Sequence, residues 1–455
     1  MFQHSCILVG QNAGQYWPPS VTRSTRARVQ ISRAASLRHA LYCLNECEPG
    51  QTTAAAGATL AFAPHVRAQG VTEINMIGWN SPVLMDLFAR AESEIGIKIN
   101  YDVLPSKWDD VMQKITLWGQ TGYDGLDVMF ADDLIGGLWG MNGWAEDLSG
   151  MDAWTKNSAD TVQNITDLNE AAGGVYRAFF TMGLEPFFYN KSLVQTAPKT
   201  WDEMVEMARA VTDANAGVYG WRPLGGEGHA FNTVLLMLNQ AGADLSSLND
   251  PNSLKAFQFM SDWVHKDQIT PPSTVSEDNA AVEALAAAGK AGMWWTYEGG
   301  LRNIIGVDGS TITRDTLGVS PWPAGPAGNT GLVHGWGVMM PKASKKKEAA
   351  TEVINWISSP EIVKEICLAQ SAAPPYRSLF DDADIKDKVP ALSLDVSWSD
   401  LIAGAKFREP IISSPQVTQL WSMFDKLGSF ILSGQRPPED AQRWAADEYS
   451  LIKLS

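Results

Sequence analysis

Cysteine is almost missing from this chain: four residues in 455, of which Cys6, Cys43 and Cys47 fall within the first 68. The remainder keeps only Cys367, so a disulfide framework and a Cys-rich zinc site are both excluded there. Cys367 follows Ile366 on an amphipathic helical pattern and reads as a small buried apolar residue. Basic residues are also short, 35 against 51 acidic ones for a net charge of −16. That balance argues against a nucleic-acid backbone or an anionic lipid surface as partner, since both need Lys and Arg to displace counterions. No run of ~18 apolar residues is long enough to span a bilayer. Catalytic signatures are missing too. There is no G-x-S-x-G elbow and no H-E-x-x-H, and AGKA (288–291) lacks the leading Gly and the Ser/Thr of a phosphate loop. GGEG (225–228) lacks dinucleotide spacing. Beyond residue 68 the histidines His229, His265 and His334 are too dispersed to suggest a metal site. Neither a cofactor nor a metal is expected.

The first 68 residues have a different character. Arg23, Arg26, Arg28, Arg33, Arg38 and Arg67 stand against Glu46 and Glu48, and AAAGATLAFAPHVRAQ carries a short apolar run ending in Val66-Arg67-Ala68. Basic, then apolar, then small-x-small is the order of an export signal. Its leading segment is too long and holds no twin-arginine pair before the apolar run. The expectation is therefore a cleaved leader over 1–68, with a start mis-assigned upstream of about Gln51, and a periplasmic mature protein.

The length calls for two or three domains of roughly 100–200 residues. A strand is expected over Val71–Ile77, then a helix capped by Ser81 with Pro82 at its first position and stopped by Gly96. Ile97 to Val103 alternates as a strand, a second helix starts at Ser106, and LDVMF (126–130) is a strand buried on both faces. This β-α-β-α-β order predicts an open, mostly parallel α/β sheet. The same grammar returns after the aromatic strand Phe187-Phe188-Tyr189. Thr200 and Glu203 form a capping box there, and strands follow at YGW (219–221), GKAGMWW (289–295) and HGWGVMMP (334–341). The rest is mainly helical: Lys345–Ile357, Glu361–Leu368, Gln416–Leu432 and Pro438–Tyr449.

What the chain has in excess is tryptophan, eighteen against fifteen Phe and ten Tyr. An indole face stacks on the apolar face of a pyranose, while carboxylates and amides satisfy the ring hydroxyls. Trp108, Trp201, Trp263, Trp356 and Trp444 lie on helices and are expected to pack in cores. Trp79, Trp295, Trp336 and Trp421 are better candidates for a ligand, three of them at strand ends or turns where α/β lobes present ligands.

LEPFFYNKSLVQTAPKTWDEM (184–204) resembles the entry into the second lobe of maltose- and trehalose-type extracellular solute-binding proteins of ABC importers. DVMFADDLIGG (127–137), NDPNSLKAFQFMSDWV (249–264), GKAGMWW (289–295), GWGVMMPKASKKKEAATEVINWISSPE (335–361) and SSPQVTQLWSMF (413–424) are similar to that family's blocks, in its order. The resemblance covers about residues 70–450. It implies a two-lobed, type II periplasmic-binding fold hinged between the lobes. Residues 71–180 with 332–375 would form lobe 1 and 185–325 lobe 2, with helices of 376–455 bracing both. FFTMGLEP and LVHGWGV would be crossings.

The resemblance also implies a site. Asp133 matches a sugar-hydroxyl carboxylate, with Asp132 as the alternative. Trp79, Asn80 and Ser81 occupy a ligand-touching loop, Glu227 and His229 fall where a carboxylate and an aromatic contact solute, and Glu185 lies at a crossing. Gly183 departs from the carboxylate often found there. Trp421 lines up with a stacking Trp, although its helical register suits plain core equally. Trp295, Tyr297, Trp336 and Arg377 complete the set. The implied function is capture of a carbohydrate or polyol by a monomer that delivers it to ABC permease subunits, without catalysis. Two other solutes stay open: a polyamine, which Asp132, Asp133, Glu185 and Glu227 would welcome together, and a glycerol-phosphate-type solute, for which Arg377 is the main matched cation. A glycoside hydrolase using Asp133 and Glu227 is the remote enzymatic reading.

Overall fold

The computed structural model describes residues 73–389, 401–402 and 404–453; the expected leader over 1–68 lies outside them. Among the described residues, nine strands form two sheets. The first orders β2 (Lys98–Val103), β1 (Glu73–Gly78), β3 (Val128–Ala131), β9 (Val333–Met339) and β4 (Ala178–Leu184). The second orders β6 (Tyr219–Arg222), β7 (Ala291–Trp294), β5 (Phe187–Asn190) and β8 (Leu317–Ser320). β1 pairs in parallel with β2 and β3, but β9 enters antiparallel between β3 and β4. The expected mostly parallel sheet is thus mixed, because a strand from far along the chain closes it. In the second sheet only β6 and β7 pair in parallel.

Local signals explain most boundaries. Pro82 starts the helix Pro82–Ala89, and a second segment, Ala91–Ile95, ends at Gly96 in the left-handed conformation (φ 75°). The Ser81 hydroxyl does not cap; it accepts from the Gln370 amide at 3.0 Å instead. The helix expected from Ser106 begins at Trp108, with no side-chain cap on the residue before it. Thr200 Oγ1 accepts from the Glu203 amide (3.2 Å), and the Glu203 carboxylate accepts from the amide of Lys199 (2.7 Å), one residue before the usual capping-box partner.

The aromatic stretch after Leu184 is core. Phe187 stacks on Trp221 with centroids 5.4 Å apart, Phe188 faces Trp294 at 6.0 Å, and Trp221 meets Trp263 edge-on at 5.7 Å. Against this core packs the helix Ala230–Ala241, in turn covered by Pro251–His265 and by the C-terminal helix Val417–Ser433. Val417–Ser433 also touches the helix Asp133–Met141 beside the first sheet. Cys367 is a free, buried thiol, as expected.

Leu235 is fully buried in Ala230–Ala241. Leu235→Ala is expected to cost about 2–5 kcal/mol through lost burial and the cavity left behind. Denaturant unfolding reads this as a lower midpoint at unchanged slope.

Candidate ligand cleft

A cavity of about 970 Å³ opens between the elements of the two sheets. One wall is aromatic. Trp79 opens the loop after β1, Trp108 opens its helix and Trp336 sits in the middle of β9. Their rings form a triangle: Trp79 to Trp336 at 4.8 Å and 74°, Trp79 to Trp108 at 6.1 Å, Trp108 to Trp336 at 6.4 Å. All three are half-buried and line the cavity, so each presents part of its indole to whatever enters.

The facing groups are polar. Asp132 caps the helix Asp133–Met141 by accepting from the Ile135 amide (2.9 Å). Across the cavity, the Tyr297 hydroxyl meets His229 Nδ1 at 3.2 Å and accepts from the Asn232 side-chain amide at 3.0 Å. The loop Glu227–His229 is anchored from behind, where the Asp425 carboxylate accepts from the amides of Gly228 (2.9 Å) and Phe231 (3.2 Å). Burial lifts Asp425 to about 6, against the pull of those two amides.

Beneath the aromatic wall lies a charge cluster. Arg408 holds Asp133 in a two-pronged ion pair, with Nε 2.9 Å from Oδ2 and a second bond from its terminal nitrogen to Oδ1. The same terminal nitrogen reaches Asp132 Oδ2 at 3.3 Å. Burial raises Asp132 to about 6 even though Arg408 opposes it, with Asp133 adding to the rise. Arg177 runs beneath the same helix at Gly136, where any Cβ would collide with its guanidinium. Its terminal Nη2 donates to the Leu168 carbonyl at 3.0 Å, and desolvation lowers it to about 10. Two arginines thus face two aspartates in a largely buried cluster that reaches the cavity through Asp132 and Arg408.

Eight of the sequence-derived residues line this cavity: Trp79, Asn80, Ser81, Asp132, Glu227, His229, Tyr297 and Trp336. Five do not. Asp133 turns its carboxylate inward to Arg408, leaving the wall to its neighbour Asp132, because consecutive residues at a helix start point in different directions. Glu185 is 2% exposed and lies behind β9 against His334. Trp295 is fully buried and donates its indole N–H to Thr233 Oγ1 at 3.3 Å. Trp421 is 4% exposed and meets Phe231 edge-on at 6.3 Å, which places it in the core. Arg377 is exposed away from the cavity, where its backbone N–H donates to the Asp160 carbonyl (2.8 Å) and its side chain to that of Ala159. The polyamine-holding quartet is therefore not assembled, as Asp133 and Glu185 are withdrawn from the wall.

The wall also holds residues not expected there from the sequence, among them Trp108, His334 and Arg408. Trp108 is expected in a helix core, but it is the first helical residue and lines the cavity. His334 sits within the crossing LVHGWGV, where an isolated histidine among apolar residues was the available signal. Arg408 carries no local signal; only its pairing with Asp133, 275 positions away, reveals it.

Residues 80–364 match the family described as bacterial extracellular solute-binding protein. A probable amino-acid ABC transporter periplasmic-binding protein of Sinorhizobium fredii is 25% identical over 216 residues, 46% of this chain and 46% of that protein. The chain therefore matches about half the length of that curated relative. Among solved structures, the maltose-bound MalE3 of T. maritima superposes with a TM-score of 0.74 at 20% identity, covering 84% of this chain and 99% of the other. An ABC transporter solute-binding protein of Agrobacterium radiobacter in complex with ribitol gives a TM-score of 0.72 at 21% identity, covering 85% and 99%. These likenesses establish the two-lobed fold.

Arg408→Ala leaves Asp133 buried without its counter-charge and should destabilise the fold by about 3–5 kcal/mol, read by denaturant unfolding at neutral pH. Glu185 supplies a pH signature. Burial, with Asp133 and Glu298 adding and Arg408 opposing, raises it from its ordinary value of 4.5 to about 8. The stability gained by keeping it uncharged is complete below 4.5 and is lost as pH rises to and through 8. Glu185→Gln should gain stability relative to the native chain progressively between pH 5 and 8.5, and thermal unfolding across that range measures it.

Proposed function

Because the chain belongs to the bacterial extracellular solute-binding protein family, we propose that it captures a neutral carbohydrate or polyol between its lobes. On this reading it is exported to the periplasm, acts as a monomer without catalysis, and hands its solute to the permease subunits of an ABC importer. The observation that carries the proposal is the triangle of Trp79, Trp108 and Trp336 in one cavity with Asp132, Glu227, His229 and Tyr297. Flat apolar faces together with hydrogen-bonding groups match a sugar ring, apolar on its faces and polar on its rim. The maltose- and ribitol-bound relatives support the same class.

An amino-acid solute, as the Sinorhizobium relative's name would suggest, needs a free cation for its carboxylate. Two of the three Lys and Arg residues lining the cleft are engaged, Arg408 with Asp132 and Asp133 and Arg302 with the Gln370 carbonyl at 2.6 Å, which leaves only the exposed Lys107. The same engagement weighs against a phosphorylated polyol. Hydrolysis would need Asp133 and Glu227 as a working pair, whereas Asp133 is tied to Arg408. Binding shifts an open–closed equilibrium only through its differential affinity for the closed state.

A sugar and polyol panel followed by thermal shift and calorimetry tests this. The cognate solute should stabilise the chain by about 3 kcal/mol at ~100-fold excess over its dissociation constant. Trp336→Ala should weaken that solute about tenfold or more, equivalent to roughly 1.4 kcal/mol. A panel with no shift at all, beside a clear shift from free amino acids, would overturn the carbohydrate reading.

A further inference from the structure

Gly183 on β4 and His334 on β9 are partners in the ladder that joins those strands, and both line the cleft. A Cβ at position 183 would fall on Cε1 and Nε2 of the imidazole. Only glycine there leaves space for the ring, and the Nε2 edge of the ring rests over a residue of the cleft wall. Nε2 makes no hydrogen bond to the described residues. The other nitrogen is enclosed: Nδ1 is buried, has no hydrogen-bond partner among the described residues, and lies 3.6 Å from Glu185 Oε1. Neither Glu185 oxygen has a hydrogen-bond partner among the described residues. Two buried polar groups facing each other with no other partner are satisfied by one proton held between them.

Resting on the carbohydrate reading above, we propose that His334 is a ligand-contacting residue whose Nε2–H donates to a sugar oxygen, and that Glu185 is the positioning residue that selects this tautomer. Around the pair stand Asp133, Arg408, Glu298 and Tyr297, the last with its ring 5.4 Å from the imidazole. Burial, helped by Arg408, lowers His334 to about 3 while Glu185 rises to about 8. The 3.6 Å separation is just beyond hydrogen-bond distance, and between those values a small rotation of Glu185 lets its carboxyl O–H donate to Nδ1, leaving the single imidazole proton on Nε2 toward the cleft. Above about 8 Glu185 releases its proton to solvent. The imidazole proton then moves from Nε2 to Nδ1 to donate to the carboxylate, and Nε2 becomes an acceptor. The cleft thus loses a donor as pH rises, and affinity falls with it.

The test combines imidazole ¹⁵N spectra of the full chain with calorimetry of the panel sugar that binds best. Spectra of the ligand-free chain at pH 7 should show His334, assigned by its loss in H334Q, as the Nε2–H tautomer, shifting when sugar is added. H334L should bind about tenfold more weakly, and H334Q, which keeps a donor, should lose less. G183A, which evicts the ring without touching it chemically, should mimic H334L while its circular dichroism stays native. E185Q keeps a donor for Nδ1 and should flatten the decline in affinity between pH 7 and 9. A Nδ1–H tautomer at pH 7, or native affinity in H334L and G183A, overturns this inference alone. A native chain that binds no sugar overturns the carbohydrate reading and this one with it.

Discussion

Everything in the cleft hangs on the antiparallel ladder between β4 and β9. Its register pairs Leu184 with Val333, Gly183 with His334 and Thr181 with Trp336, so floor and aromatic wall are set by one row of backbone hydrogen bonds. Side chains on paired strands cannot slide independently, since slipping by one residue would turn every side chain to the opposite face. Trp336 is thereby held against Trp79 and Trp108, and His334 against Gly183. The two strands also lead into the second sheet, β5 following β4 within three residues. The site and the junction between the lobes are thus one structure.

The second organising element is electrostatic. A chain with a net charge of −16 would be expected to offer an anionic cleft. Much of the local acid is instead spent internally: Asp133 on Arg408, and Asp425 on capping the Ala230–Ala241 helix. Asp132 and Glu185 are both raised by burial. The cavity lining nonetheless keeps acids such as Asp109, Asp110 and Glu227, which offer hydrogen-bond acceptors as well as negative charge. Arg408 reaches Asp133 from the C-terminal part of the chain, so this neutralisation also ties that part to the first lobe.

How much of this the sequence disclosed divides along a physical line. Strands and helices marked by local chemistry came out close to their true limits, including the Pro82 start, the Gly96 stop and the Thr200 cap, because each depends on neighbours a few residues away. The antiparallel entry of β9 into the first sheet had no local mark, since pairing partners are chosen by tertiary packing. The site divides in the same way. Trp79 and Asn80, in the loop after the first strand, are legible by position, whereas Tyr297 comes only through the resemblance and Trp336 lies in mid-strand. Asp133 and Trp295 were legible as residue types but not in direction: one helical step or one strand step decides between wall and interior. Trp421 shows the limit of periodicity, since a buried helical stripe and a stacking platform have the same spacing.

The placement of β9 has a consequence for how the chain matures. This strand lies between β3 and β4, inside the first sheet, yet ~150 residues separate its Val333 from its partner Leu184. A ribosome emits all of β5 to β8 before the strand that completes the earlier sheet exists. Until then β3 and β4 have no neighbour on their facing edges, leaving rows of unpaired N–H and C=O groups open to wrong partners. The strands of the second sheet can pair first, although the helix Val417–Ser433 that covers Ala230–Ala241 comes later still, and the first sheet must wait, half-built, for its keystone.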